Sequence, residues 1–388
     1  MRVLHVSAYY APAYVYGGPP RSIHALCKVL PAHGVSVQVF TTDANGASAL
    51  PVVVTAAGSF EDVPVRYFRR SWPSWPTGSR TLARALAGEV ASFDAVHIHG
   101  LWNRVVWAAA SEARRAGVPY VLSPRGMLQP GALAHRSWRK RAAYSLVERS
   151  VLAGASLLHA TSESERETLR ALKPRAPVVL IPNGVETPCA AARERPVPGP
   201  TVLFVGRLHP IKRPDLLVDA FAALRRRHPA ARLVVAGPDE RRMRAELVAR
   251  AGEAAAAIRF VGEVNAIERS ALLRDAAALV MCSDSESFGL SVLEAMAAAV
   301  PVVVTRTCPW PDVHRHGSGY WVDQRVDAIA DALDRVLCDP DAAREMGRRG
   351  RELAESRYGW DVIARTFAAQ YRALSPAGVS AAALFAAL

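Results

Sequence analysis

Lysine is close to absent from this sequence: four residues stand against 44 arginines. Cysteine is scarce and scattered; Cys27, Cys189, Cys282, Cys308 and Cys338 lie far apart and form no C-x-x-C pair. That argues against a zinc site or a disulfide framework and fits a reducing compartment. No apolar run approaches the roughly 20 residues of a membrane-crossing helix. The opening stretch 1–7 is too short for a signal peptide and is interrupted by His5 and Ser7, so it reads as a buried first strand. The stretch 375–388 is apolar but also too short to span; it is either a packed end or a disordered one. No helix-turn-helix, zinc-finger or aromatic RNA-binding signature is present, which argues against nucleic acid as a partner. The lone D-x-D string, Asp339-Pro340-Asp341, precedes a helical pattern and reads as a structural turn, not a metal site.

What is present belongs to a globular enzyme. The 388 residues, 51% hydrophobic and 21% charged, suffice for two domains of ordinary size. The net charge of +13 is unevenly placed. Residues 1–190 carry 21 cationic against 11 acidic side chains, and the rest 27 against 24. The density peaks at Arg136, Arg139, Lys140 and Arg141. A solvated arginine-rich face, an anionic lipid surface and an acidic substrate all remain readings of that cluster.

Short β-branched runs alternate with longer helical patterns, which predicts parallel sheets in an α/β protein. Strands are expected at 2–7, 36–41, 95–99, 120–123, 157–161 and 178–181. A second series follows at 201–205, 232–236, 258–261, 278–281 and 300–305. Helices are expected at 214–227 and 267–275 among others, and Ser162 with Glu165 has capping-box spacing. Between the two series, residues 188–200 hold four prolines and read as a linker. Tyr358-Gly359-Trp360-Asp361 opens a last helical segment that runs to Leu374.

The stretch from Asp284 to Ala297 is the most informative. Glu286 and Glu294 stand eight residues apart around a Phe288-Gly289 pair. Gly289 permits a tight turn. The helix starting near Leu290 offers unpaired N–H groups and a positive dipole end to an anion such as a phosphate. Glu286 falls in the loop and Glu294 one to two turns inside the helix, so each can accept from sugar or ribose hydroxyls. Taken alone, this spacing is more simply an acid-capped helix start.

Five further stretches accompany it. Gly206-Arg207 with Lys212 closes a strand and opens a helix, where two cations can bracket a diphosphate. An ammonium suits a phosphate oxygen with little room around it. Gly17-Gly18 follows the first strand; it is neither a dinucleotide fingerprint nor a Walker loop, and it is either a phosphate or sugar contact or a plain tight turn. In Ala95-Val96-His97-Ile98-His99-Gly100-Leu101-Trp102, alternation puts both histidines on one face, with His99 at the strand's carboxyl end and able to donate to a sugar hydroxyl. Ser123-Pro124-Arg125-Gly126-Met127-Leu128 repeats the strand-then-glycine layout, and Asn183-Gly184 reads as a hinge turn.

Together the acidic string and the Gly206–Lys212 element resemble the signature of the retaining GT-B glycosyltransferases of family 4, the glycosyl transferases group 1. The His-Gly-Leu-Trp and Ser-Pro-Arg-Gly-Met-Leu pieces are similar to its bacterial polysaccharide-biosynthesis members. The resemblance implies an α/β GT-B fold of two Rossmann-like, doubly wound parallel-sheet domains facing a cleft. An acceptor-side domain 1–187, with helix 360–374 crossing back, a linker 188–200 and a nucleotide-sugar domain 201–359 are expected. The implied reaction moves a hexose from a UDP- or GDP-sugar to a saccharide or polyprenyl-linked acceptor, with retention, in cell-surface polysaccharide synthesis.

The same resemblance gives catalytic roles to His99, Glu286, Arg207 and Lys212. It gives donor contacts to Gly17, Gly18, Gly206, Arg207, Lys212, Glu286, Phe288, Gly289, Leu290 and Glu294, and an acceptor-side contact to Arg125. Arg207 and Lys212 take the place of a divalent cation, so no metal and no cofactor is expected; the nucleotide-sugar is a substrate. A cytoplasmic enzyme is expected, and the basic cluster at Arg136–Arg141 motivates docking of the first domain on an anionic membrane face, where a polyprenyl-linked acceptor would wait. A GT-B-like sugar-nucleotide epimerase and a basic nucleic-acid binder remain alternatives. A phosphorylase would need a pyridoxal lysine, for which four lysines leave little choice.

Overall fold

The structure is a computed structural model that describes residues 1–71, 76–129, 147–186, 199–239 and 241–374. The basic cluster at 136–141, most of the expected linker and the stretch 375–388 lie outside the described residues. The chain divides into two compact units, Met1–Gly184 with Trp360–Leu388, and Val185–Gly359.

The first unit contains β1 (Arg2–Ser7), β2 (Ser36–Thr42), β3 (Ala44–Asn45), β4 (Ser48–Ala49), β5 (Gly58–Phe60), β6 (Val63–Phe68), β7 (Ala95–His99), β8 (Tyr120–Ser123), β9 (Leu157–Ala160) and β10 (Val178–Leu180). Its main sheet runs β10-β9-β8-β7-β1-β2-β6-β5, with β3 and β4 forming a small separate ladder. Apart from β5 on β6, the main-sheet pairings are parallel. β7 is buried at every position and β1 from its second residue on. Near-continuous burial is what a parallel sheet covered on both faces imposes. Strand order reverses between β1 and β7, which aligns Ser7 with His99. Loops leaving the two strands there diverge, and such a switch point is where open α/β sheets take ligands.

The helix Trp360–Leu374 belongs to this unit. Its Trp360, Ile363, Phe367 and Tyr371 complete a core cluster with Val3, Ile23, Val37 and Val39. Burying each large apolar side chain stabilises the unit by about 1.5–3 kcal/mol.

The second unit contains β11 (Thr201–Val205), β12 (Arg232–Ala236), β13 (Ile258–Gly262), β14 (Ala278–Met281), β15 (Val302–Thr305) and β16 (Gly319–Val322). They form one parallel sheet in the order β13-β12-β11-β14-β15-β16. The order reverses between β11 and β14, so the loops that leave these two strands border a switch-point crevice at the carboxyl edge. Those loops are Gly206–Lys212 and the acidic string.

Two local expectations need correction. Ser162 caps the helix Glu163–Ala171 by accepting from Glu165 N. Glu165 does not complete the box, because its carboxylate accepts from Gly126 N and from Thr161 N and Oγ1. β15 starts at Val302, not at residue 300, because Pro301 has no N–H for the ladder. Asp339 behaves as a turn residue should, accepting from Asp341 N and Ala342 N as the cap of helix Pro340–Tyr358.

Candidate active site

In the second unit, β11 ends at Val205 and the chain turns through Gly206 into Arg207. The carbonyl of Gly206 lies so close to Gly237 that a Cβ on the latter would fall 1.9 Å from it. This close packing holds the turn in place. The short helix Pro210–Lys212 follows, capped by His209, and leads to helix Pro214–Arg225. Asp284 N donates to Ile211 O at 2.8 Å, which ties the loop after β14 to the loop after β11. Gln324 supports the same junction by donating to Cys282 O and Asp284 Oδ1, each at 2.9 Å.

Lys212 Nζ forms an ion pair with Glu286 Oε1 across this junction. Ser283 Oγ donates to the same carboxylate oxygen at 2.8 Å. The cation and the first carboxylate of the motifs are therefore brought together, both largely screened from solvent, with side-chain exposures of 19% and 9%. Arg207 is half-buried one residue beyond Gly206. Nearby, burial pushes the Cys308 thiol up to about 12, and the Cys282 thiol upward as well, so neither supplies a thiolate nucleophile near neutral pH.

Gly289 starts helix Leu290–Ala297 from a left-handed conformation with φ 87°. A Cβ there would meet Trp310 Nε1 at 2.9 Å and Met281 Sδ at 3.0 Å. Phe288 differs from its expected donor-contact role in one respect: its ring is 6% exposed and packs edge-on to Trp310, centroids 5.1 Å apart. Trp310 Nε1 also donates to Phe288 O. Phe288 thus anchors the backbone from which Gly289 and Leu290 present their amides, and its ring belongs to the core. Glu294 is the fifth residue of the helix, partly exposed, and pairs with Arg269 at 3.3 Å.

In the first unit, Gly17 has φ 84° and precedes helix Gly18–Val29. Its N–H donates to Tyr14 O at 2.9 Å, and Pro19 and Pro20 have no N–H. Gly18 is the amide this glycine pair has to offer a ligand. His99 is 2% exposed, and both of its nitrogens are engaged. Arg125 Nη2 lies 3.3 Å from His99 Nδ1, and His99 Nε2 lies 3.1 Å from His5 Nδ1. A guanidinium only donates, so His99 Nδ1 accepts, His99 Nε2–H donates to His5, and His5 carries its proton on Nε2. That buried Nε2–H has no partner among the described residues. For His99 to donate to a sugar hydroxyl, as expected from the sequence, it must first release His5.

His97 belongs to a second chain of bonds. His159 Nε2 faces Ile181 O at 2.7 Å and must donate to it, so His159 Nδ1 accepts from Ser123 Oγ at 2.6 Å. Ser123 in turn accepts from His97 Nε2 at 2.6 Å, which leaves His97 Nδ1 to accept from Tyr371 Oη at 2.6 Å. Burial, reinforced by Arg125, holds His5 and His159 down to about 3, and burial also holds His97 and His99 well below the usual imidazole range. All four imidazoles are neutral.

Arg125 itself adopts φ 59°. Its Nη1 donates to Ser22 Oγ at 3.1 Å and Asn183 Oδ1 at 2.9 Å, and its Nε is buried without a partner among the described residues. Burial lowers the guanidinium to about 10 despite the favourable field of Glu165. Its contacts among the described residues are neutral acceptors, so it is a buried cation that an anion would complete. Sequence reading gave no role to His5, His159, Tyr371 and Glu148, and took Ser123 only as the first residue of the Ser-Pro-Arg-Gly-Met-Leu piece. Glu148, fully buried, accepts from Trp102 N at 2.6 Å and Trp107 Nε1 at 2.7 Å and so fixes the loop after β7. Apart from Ser123, none of these residues sits in a spaced motif.

A family model described as Glycosyl transferases group 1 matches residues 190–353, and one described as Glycosyl transferase 4-like domain matches residues 17–184. The D-inositol 3-phosphate glycosyltransferase of Frankia alni is 34% identical, over 94% of this chain and 96% of its own. The solved structure of sucrose-phosphate synthase from Thermosynechococcus elongatus matches with TM-score 0.78 and 23% identity, covering 100% of both chains. Anabaena HepE in complex with UDP and glucose matches with TM-score 0.73 and 18% identity, over 95% of this chain and 99% of that one.

Proposed function

This chain belongs to the glycosyl transferases group 1 and has the GT-B fold, and from that premise we propose that it moves a hexose from a UDP- or GDP-sugar to a saccharide or polyprenyl-linked acceptor. The proposal includes retention of anomeric configuration, no metal requirement and a role in cell-surface polysaccharide synthesis at an anionic membrane face. The observation that carries it is the Lys212–Glu286 ion pair at the β11/β14 switch point. It sets a phosphate-binding cation against a carboxylate suited to sugar hydroxyls.

Arg207 and Lys212 neutralise the diphosphate as its bond to the anomeric carbon breaks, and the amides of Gly289 and Leu290 add to that stabilisation. Gly206 lets the backbone approach the diphosphate. Glu294 accepts from the ribose hydroxyls and Glu286 from the donor hexose. Donor binding exchanges the Lys212–Glu286 pair for contacts with phosphate and sugar, so neither group is left unpartnered. Gly17 and Gly18 contribute the turn and the amide from the first unit. His99 orients Arg125, whose incomplete coordination suits an acceptor phosphate. The name of the Frankia relative carries a phosphorylated inositol, which supports a phosphorylated acceptor. Neither carboxylate is assigned as a covalent nucleophile.

A thermal-shift screen of UDP-, GDP- and ADP-sugars tests the donor class. HepE was solved with UDP and glucose, which makes UDP-glucose the first to try. The stabilising donor should lose turnover on the order of 100-fold with Glu286→Gln while the unliganded protein keeps its melting temperature. Isomerisation of donor without acceptor would identify an epimerase instead, and an inverted product anomer would exclude retention.

A further inference from the structure

We propose that His228, Asp334 and Cys338 form a binding site for a thiophilic divalent cation such as zinc, sharing no ligand with the donor residues. His228 lies in the turn after helix Pro214–Arg225. Asp334 and Cys338 stand four residues apart on helix Val326–Cys338, on one face. Each offers one atom to a common point. His228 Nε2 is 2.7 Å from Asp334 Oδ1, and Cys338 Sγ is 3.8 Å from the first atom and 3.7 Å from the second.

These edges are close to those of a coordination tetrahedron. Ordinary zinc bond lengths put a sulfur about 3.5 Å from its nitrogen and oxygen neighbours, and the nitrogen about 3.3 Å from the oxygen. The two sulfur edges need to shorten by only about 0.2–0.3 Å, while the N–O edge opens by about 0.6 Å as a hydrogen bond gives way to two metal bonds. Sulfur, imidazole and carboxylate together favour zinc over magnesium or calcium.

The surroundings support the same assignment. Arg227 Nη1 donates to the other carboxylate oxygen, Asp334 Oδ2, at 3.0 Å and thereby turns Oδ1 toward the site. Its own charge is offset by Asp331 at 2.7 Å. One thiolate and one carboxylate then balance the ion, and the Cys338 proton leaves to solvent on binding. His228 and Asp334 are partly exposed and Cys338 is exposed, so water can fill the fourth position and the ion can exchange. His5, His97 and His99 also converge, but the ring lone pair of each already accepts a hydrogen bond and Arg125 would repel a cation there.

Cobalt(II) titration of the chelator-treated full chain tests the site. The expected result is a sulfur-to-cobalt charge-transfer band that saturates at one equivalent and is displaced by zinc. Cys338→Ser should abolish the band, and His228→Gln and Asp334→Asn should weaken binding by at least about 10-fold. Cys189→Ser should leave it intact. Zinc should raise the unfolding temperature of the unsubstituted chain but not of Cys338→Ser, and without metal the two should unfold alike. No band, or a band that survives Cys338→Ser, overturns the proposal.

Discussion

Because burial, reinforced by the charge of Arg125, disfavours their protonation, the folded first unit keeps His5, His97, His99 and His159 uncharged, whereas each titrates near 6.5 once unfolded. Between that value and the folded value, about 3 for His5 and His159, the unfolded chain binds more protons. Stability is therefore full above about pH 6.5 and falls as the pH drops through this window, by on the order of 1 kcal/mol per pH unit for each histidine. Urea unfolding at pH 7 and pH 5 should show that loss, and His5→Leu should make the slope shallower by one proton. A midpoint that does not move between these pH values would show that the histidines are already solvated.

At the scale of elements, Gly17 and Gly289 each precede a helix with a positive φ, Gly289 in the left-handed helical region and Gly17 with ψ -141°, and their surroundings differ. Both have φ near 85°, but a side chain at Gly17 meets open space and one at Gly289 meets Trp310 and Met281. Gly17→Ala should therefore cost only the backbone strain, about 1–3 kcal/mol. Gly289→Ala should cost more and also weaken donor binding, because Trp310 must move and release Phe288 O. Differential scanning calorimetry compares the two; equal losses would mean that the collision is absorbed at no cost.

The strands expected from β-branched runs all form; those buried on both faces, such as β14, write themselves as uninterrupted apolar runs, and the half-buried edge strands β10 and β13 as shorter ones. β6 was not legible, since Pro64 breaks its alternation. Pro64 lies one residue ahead of the first partner on β2, so its missing N–H interrupts no bond there. β16, Gly-Tyr-Trp-Val, is a short strand with three half-buried residues and carries too little pattern. Among site residues, the motif carboxylates, glycines and cations were legible because they are spaced along one loop and helix. His5 and His99 are 94 positions apart, and His97 and Tyr371 are 274 apart; only the fold brings them together.

At the scale of the whole molecule, no described helix is long and apolar enough to cross a membrane. Attachment to a lipid surface would then rest on charge, and the cluster of Arg136, Arg139, Lys140 and Arg141 is its densest source. Each cation near an anionic surface contributes about 1 kcal/mol. Flotation with anionic vesicles should recover the protein, and neutral vesicles or high salt should not. Equal recovery with both lipid types would remove the membrane from the proposal.

The helix Trp360–Leu374 gives the first unit a dependence on time during synthesis. Residues 1–184 leave the ribosome early, but Trp360, Phe367 and Tyr371, which complete their core, follow after the whole of Val185–Gly359. At translation rates of about 5–20 residues per second, that core stays open for roughly 10–35 s. The second unit is continuous in sequence and can close while the first still waits. A message cut short before Trp360 would yield a nascent chain with an exposed apolar face, marked for removal by chaperones and proteases before it could compete for substrate.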